Sequence, residues 1–304
     1  MVAAMSKRVL LAVNSRARRG SGARDRIVAA FAGQGHQVIE LPLDGPPQAL
    51  SAAIAARRND VDAVVVCGGD GTLNSAIAGL IETKLPLVVV PLGTFNELAR
   101  TLGIPADAVT AAGMLDAGRA VQLDVGCVNG AYYFNEASVG LSTRVARLQT
   151  GQLKRVFGML AIPLATLRAL RWIRPTHLEI ALEDGSRRAV RTVQLTVANS
   201  YRFGGVVENP EGSLEDGKLW LYSIDVRGWW NALGVLVAIA FRRFAHTPNI
   251  VALQGRRFTV RSQHGHSHRV FADSEQVARL PADFSIVHGA VAVLVPPERV
   301  GSIR

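Results

Sequence analysis

Over the first 125 residues, short apolar runs alternate with stretches that read as helices. Val9–Val13 is a strand ending at Asn14-Ser15, and a basic, glycine-containing loop, Arg16–Gly22, leads to a helix from about Ala23 to Gly33. Gln37–Leu41 reads as the second strand and Pro47–Arg58 as the second helix. Ala63–Cys67 and Leu87–Pro91 are apolar throughout rather than alternating, as in parallel strands covered on both faces. Gly68–Thr72 predicts a turn before a helix over Leu73–Ile81, and Gly93–Asn96 a loop before a helix over Glu97–Leu102. Strands alternating with helices across short loops predict a parallel α/β sheet.

Beyond about Leu123 the pattern changes. Gly130–Phe134, His177–Leu182, Arg188–Val197, Lys218–Asp225, Arg257–Val260, Arg269–Ala272 and Val291–Val295 are short runs with β-branched and aromatic residues. They predict a second, mostly antiparallel β-sandwich, interrupted by helical insertions at 152–172 and 229–244. The fold class is α/β, with an N-terminal parallel α/β domain over 6–124 and the C-terminal β-sandwich domain over 125–296. Whether the tail, 297–304, returns to the first domain is left open by the pattern.

Composition narrows the class. Of 304 residues, 49% are hydrophobic and 19% charged, enough apolar material for a sizeable core and incompatible with a disordered chain. Two cysteines, Cys67 and Cys127, exclude a disulfide framework or a Cys-rich zinc module and suit a reducing cytoplasm. The net charge of +10, from 34 basic against 24 acidic residues, points to an anionic partner: nucleic acid, phosphorylated substrate or anionic lipid. The apolar uncharged runs Val156–Leu167 and Gly228–Phe241 are shorter than the roughly 20 residues of a membrane span, and the N-terminus lacks a signal-peptide pattern.

Two strand ends carry the candidate chemistry. In Cys67-Gly68-Gly69-Asp70-Gly71-Thr72-Leu73-Asn74 a buried strand runs into a glycine-rich turn and a helix, where close backbone approach and free N–H groups suit phosphate. Asp70 would repel bare phosphate, so its place there makes sense if it handles a magnesium ion or that ion's water; as a plain turn it would be a helix cap. Pro91-Leu92-Gly93-Thr94-Phe95-Asn96 is a second such loop, with Thr94 and Asn96 as hydrogen-bonding groups or caps. Loops at the C-terminal ends of neighbouring parallel strands face one crevice. No Walker P-loop is present. His264, His266 and His268 could bind a metal on one strand face or simply form a polar hairpin turn.

Together these segments resemble the diacylglycerol kinase catalytic family, in particular soluble bacterial lipid kinases, which are similar to sphingosine and ceramide kinases. Further matching segments are Leu123-Asp124-Val125-Gly126, Phe134-Asn135-Glu136-Ala137-Ser138-Val139-Gly140, Ala198-Asn199-Ser200 and Phe203-Gly204-Gly205. The resemblance implies that the α/β domain holds ATP and Mg²⁺ through Asn14, Arg16, Gly68, Gly69, Asp70, Gly71, Thr72, Asn74, Thr94 and Asn96. It implies that Phe271-Ala272-Asp273-Ser274-Glu275 carries the catalytic base, with Asp273 and Glu275 as its acids. It also implies a structural Mg²⁺ at Leu214–Leu219, held by Ser213, Asp216 and Lys218. The sequence departs from the family at Arg16 and Ala17, at Leu41 where a threonine is usual, at Phe95 and Glu97, and at Ser274 in place of glycine.

The implied activity is ATP- and Mg²⁺-dependent phosphorylation of a lipid hydroxyl. The alternatives are an NAD kinase-like enzyme, whose family shares Gly-Gly-Asp-Gly, and a catalytically weak lipid- or nucleotide-binding protein. Residues 141–175 hold Arg144, Arg147, Lys154, Arg155, Arg168, Arg171 and Arg174 and no acid, and Trp229 and Trp230 open the second insertion. Such segments suit an anionic bilayer surface, or else pack on the β domain with solvated arginines. The expected partner is lipid substrate at an anionic membrane, with peripheral association from the cytoplasm. Nucleic acid is not expected, since no recognition module accompanies the charge. A homodimer is the candidate oligomer.

Overall fold

The computed structural model describes residues 6–14, 20–43, 45–140, 175–200, 202–203, 207–208, 212–226, 231, 234, 249–273 and 275–299. Arg16, Ser274, the basic segment up to Arg174, and Trp229 with Trp230 lie outside the described residues.

The N-terminal half alternates as its pattern predicts: β1 (Arg8–Val13), α1 (Gly20–Gly33), β2 (Gln37–Pro42), α2 (Gln48–Ala56), β3 (Ala63–Gly68), α3 (Asp70–Thr83) and β4 (Leu87–Pro91). The four strands run parallel in the order β2-β1-β3-β4. Every residue of β3 and β4 is buried, which explains their unbroken apolar sequence. The helix after β3 begins at Asp70 rather than Leu73, so Gly68–Thr72 is a strand passing directly into a helix. Three short helices follow: α4 (Glu97–Thr101), α5 (Ala108–Ala112) and α6 (Met114–Ala117).

The remaining strands are β5 (Arg119–Val128), β6 (Ala131–Tyr133), β7 (Glu136–Gly140), β8 (Thr176–Leu182), β9 (Arg187–Thr192), β10 (Gln194–Ala198), β11 (Arg202–Phe203), β12 (Val207–Glu208), β13 (Leu219–Ile224), β14 (Ile250–Gly255), β15 (Arg257–Ser262), β16 (Arg269–Ala272), β17 (Glu275–Arg279) and β18 (Ala282–Val295). One antiparallel sheet has the order β14-β13-β10-β7-β16-β17. It faces the strands β18, β15 and β8 across a core that includes Tyr133, Val197, Leu221, Phe258 and Phe284. The run 188–197 is not one strand. It breaks at Val193, where Thr192 Oγ1 donates to the carbonyls of Gln194 (2.7 Å) and Ile224 (3.1 Å), and its halves enter different sheets.

The two halves share a strand. The early part of β18 pairs with β15 through Ala282–Ser285, while Val293 pairs in parallel with Leu87 of β4. Ala282 and Phe284 belong to the sandwich core, and Ala290, Val291, Val293 and Val295 to the α/β core. The return to the first half therefore happens inside β18, ahead of the tail. One ten-stranded sheet thus runs through both halves.

Candidate active site

The two glycine loops touch. A Cβ on Gly69 would lie 3.2 Å from Gly93 Cα, and one on Gly93 would lie 2.6 Å from Gly69 Cα and 2.6 Å from Asn96 Oδ1. Close backbone approach, rather than dihedral freedom, thus requires glycine at Gly93 and leaves little room for a side chain at Gly69. Gly68 has the same constraint against Thr72, whose Cβ and Oγ1 would both lie 2.6 Å from an added Cβ. Asn96 has φ 47°, and its side chain closes the loop on itself, accepting from Gly93 N (2.9 Å) and donating to Gly93 O (3.0 Å). Asn14, at the end of β1, donates from Nδ2 to Thr72 Oγ1 (3.1 Å).

A cleft of about 790 Å³ opens above these strand ends. Its polar end is formed by Asn14, Gly69, Gly71, Thr72, Ser75, Thr94 and Glu275, and its apolar end by Leu41, Pro42, Leu43, Pro46 and Leu50 among others. Leu41, which departs from the family's threonine, therefore gives apolar contact there. Glu275 comes from the second half of the chain, and its Oε1 would lie 3.4 Å from a Cβ on Gly71.

Asp70 and Asp273 sit behind this surface. Asp70 accepts from Leu98 N (3.3 Å), so its carboxylate is turned toward the start of α4. Burial raises its proton affinity, and the amides of Leu98, Glu97 and Asn96 act against that. Asp273 Oδ2 accepts from Asn74 Nδ2 (2.8 Å) and from the amides of Phe134 (3.2 Å) and Asn135 (3.2 Å), and Oδ1 from Glu136 N (2.9 Å). Asp273 itself has φ 41° and donates its amide to Glu136 O (2.9 Å). The residue as a whole is only partly buried, but its carboxylate is enclosed by these donors. Loss of water pushes its pKa up to about 6 in spite of them, with Asp70's negative charge adding to the rise. Asp273 therefore braces the turn that presents Glu275.

Ser213, Asp216 and Lys218 lie in a separate place. Asp216 Oδ1 accepts from Lys218 N (2.9 Å), and Ser213 Oγ accepts from Glu215 N (3.2 Å). Beside them is Asp124, fully buried, which accepts from Gly217 N (2.6 Å), Gly289 N (2.8 Å) and the ring Nδ1 of His288 (2.7 Å). Burial and then Asp124's charge raise Glu215, and the same two causes raise Asp216 against the Lys218 amide. The negative charge of Asp124 beside Glu215 and Asp216 suits a hard dication nearby. Among the described residues no three His, Cys, Asp or Glu side chains converge as a metal cage, so an ion here would need backbone carbonyls and water. That also removes support for a metal at His264, His266 and His268, whose rings make edge contacts instead.

Sequence reasoning missed the supporting part of Asp124 and the partner His288. A charged residue inside the apolar run Leu123–Val125 was the available signal for the first; nothing in sequence linked the second to it.

An α/β half with two glycine loops at its strand ends thus shares one cleft with a carboxylate from the β-sandwich half. Residues 8–128 match the family model described as the diacylglycerol kinase catalytic domain, and residues 135–295 the YegS C-terminal NAD kinase beta sandwich-like domain. The chain is 30% identical over 257 residues to a diacylglycerol kinase of Bacillus subtilis (strain 168), covering 83% of each. It is 28% identical over 250 residues to one of Staphylococcus carnosus (strain TM300), covering 80% and 79%. A crystal structure from Bacillus anthracis str. Sterne superposes with a TM-score of 0.80 at 22% identity, covering 97% of each chain. The chain belongs to the diacylglycerol kinase family, a family of lipid kinases. Among the described residues no helix is long and apolar enough to cross a membrane.

Proposed function

We propose that this chain transfers the γ-phosphoryl group of ATP to the hydroxyl of a lipid of the diacylglycerol class, with Glu275 as general base. The carrying observation is that Glu275 shares one cleft with Asn14, Gly69, Gly71, Thr72 and Thr94. The amides at the start of α3, at the positive end of a 14-residue helix, suit the nucleotide's phosphates. The apolar end of the cleft suits the base. Glu275 takes the acceptor proton, the acceptor oxygen forms the new P–O bond, and the bond to the β-phosphate oxygen breaks to release ADP.

Magnesium fits the chemistry in two places. Asp70, with Asp273's charge nearby, would hold a hydrated ion, which supplies charge neutralisation on the phosphates. Asp216, with the carbonyls of Ser213 and Lys218, would hold a structural one. The basic segment 141–175 supports peripheral binding to anionic bilayers from the cytoplasmic side, where the acceptor is collected. Incubation with labelled ATP and a lipid panel, with NAD and no-lipid controls, tests the reading. Label in the organic phase with diacylglycerol supports it; label in NAD alone contradicts it.

A further inference from the structure

Glu275 borders two clefts, not one. The second, of about 250 Å³, lies between α2 and α3 on one side and β6 with the β16–β17 hairpin on the other. It meets the nucleotide cleft at Pro47, Ser75 and Glu275. Its other walls are largely apolar, with Ala78 from α3, Ala131 and Tyr132 from β6, and Val277 from β17. Among the described residues Phe95 and Val277 are the large hydrophobic side chains left exposed, and Val277 stands on this wall at 37% exposure. Asn74 also lines the cleft. Its Nδ2 is committed to Asp273, while its Oδ1 is buried with no hydrogen-bond partner.

We infer that this second cleft is the acceptor's entrance, and that it takes the headgroup and first methylenes of a hydroxyl-bearing lipid while the chains remain outside. The inference rests on the lipid-kinase reading. Three observations carry it. The cleft delivers a ligand to the same carboxylate that the nucleotide cleft reaches from the other side. Its walls, with Ala78, Ala131, Tyr132 and Val277, are apolar enough to receive the first methylenes of a lipid. Its volume is below the roughly 300–1,000 Å³ that encloses a drug-sized ligand, so a two-chain lipid cannot be swallowed whole. The exposed Val277 is placed to touch the first methylenes as they leave. Chain length should therefore matter little to the enzyme.

The test uses Ala78→Trp and Ala131→Trp, which narrow this cleft from opposite walls and do not border the nucleotide cleft. Ala78 is exposed on its helix, so that variant keeps the test sound if Ala131→Trp fails to fold. Initial rates are measured with dioctanoyl- and dioleoylglycerol in mixed micelles, alongside Tm. The expected result is an acceptor KM raised by about tenfold or more, with KM for ATP within about twofold and the two lipids affected alike. A photoreactive diacylglycerol should also label the peptide containing Ala131 or Val277 in the wild type. If the wild type phosphorylates diacylglycerol and Ala78→Trp leaves its acceptor KM unchanged, the entrance lies elsewhere and the kinase reading stands. If the wild type phosphorylates no lipid, both readings fall.

Discussion

Asn74 on α3 donates a 2.8 Å hydrogen bond to Asp273, 199 residues further along the chain. This contact ties the helix that starts at the glycine loop to the turn that presents Glu275. Removing it by Asn74→Ala leaves the Asp273 carboxylate with its backbone donors alone. The expected loss is about 1–3 kcal/mol of stability. Turnover should fall more than nucleotide affinity does, because the carboxylate across the cleft loses its registry. Urea denaturation with paired kcat and KM measurements checks this; unchanged kcat would show that the tie is dispensable.

Asp273 also predicts a pH dependence. Its folded pKa, about 6, lies above its ordinary value of 3.8, so protons bind the folded state more tightly than the unfolded one. Its ionisation therefore costs stability above about pH 6, and that cost is relieved as pH falls toward 3.8. The stability of the wild type relative to Asp273→Asn should rise across that window. Thermal unfolding of both proteins from pH 7 downward measures the difference; parallel curves would mean the carboxylate is not held as described.

Gly93→Ala places a methyl group 2.6 Å from Gly69 Cα. Backbone cannot move aside cheaply, so destabilisation of about 1–3 kcal/mol is expected together with weakened ATP binding. Calorimetric titration with ATP and a urea curve test both halves. Retention of wild-type affinity would separate the loop contact from nucleotide binding.

Asp216→Asn should remove a magnesium-dependent increment of stability. An ion that binds the folded state alone raises Tm with its concentration. The wild type should gain Tm between EDTA and millimolar Mg²⁺, and the variant should gain less. Equal gains would exclude Asp216 as a ligand.

The parallel half was legible because both faces of its sheet are covered. Ala63–Cys67 and Leu87–Pro91 are apolar without interruption, and glycines mark where each strand ends. The start of α3 was misread because Gly-Asp-Gly-Thr looks like turn chemistry, whereas packing of Gly69 on Gly93 lets the helix begin at Asp70. In the β half, Arg188–Val197 looked continuous since the sheet switch at Val193 is set by Ile224, a partner distant in sequence. The long β18 was seen only at its apolar end. Its middle, Ser285–Gly289, is half-buried or exposed without alternation, which weakens the pattern. At the site, the glycine-loop motifs pointed to Thr72 and Thr94 and the family resemblance to Asn14 and Glu275, and the four share a cleft. Asp70 and Asn96, each open to a capping role in the sequence, do bond neighbouring backbone, Asp70 at Leu98 N and Asn96 at Gly93.

The most direct test of the account is the initial rate of phosphate transfer from labelled ATP to diacylglycerol, in millimolar Mg²⁺, for the wild type and Glu275→Gln. The account predicts measurable transfer by the wild type and a loss of about 10²–10⁴-fold in kcat for the variant, with ATP affinity unchanged. Equal rates for the two proteins, or no transfer to lipid by the wild type, would contradict it.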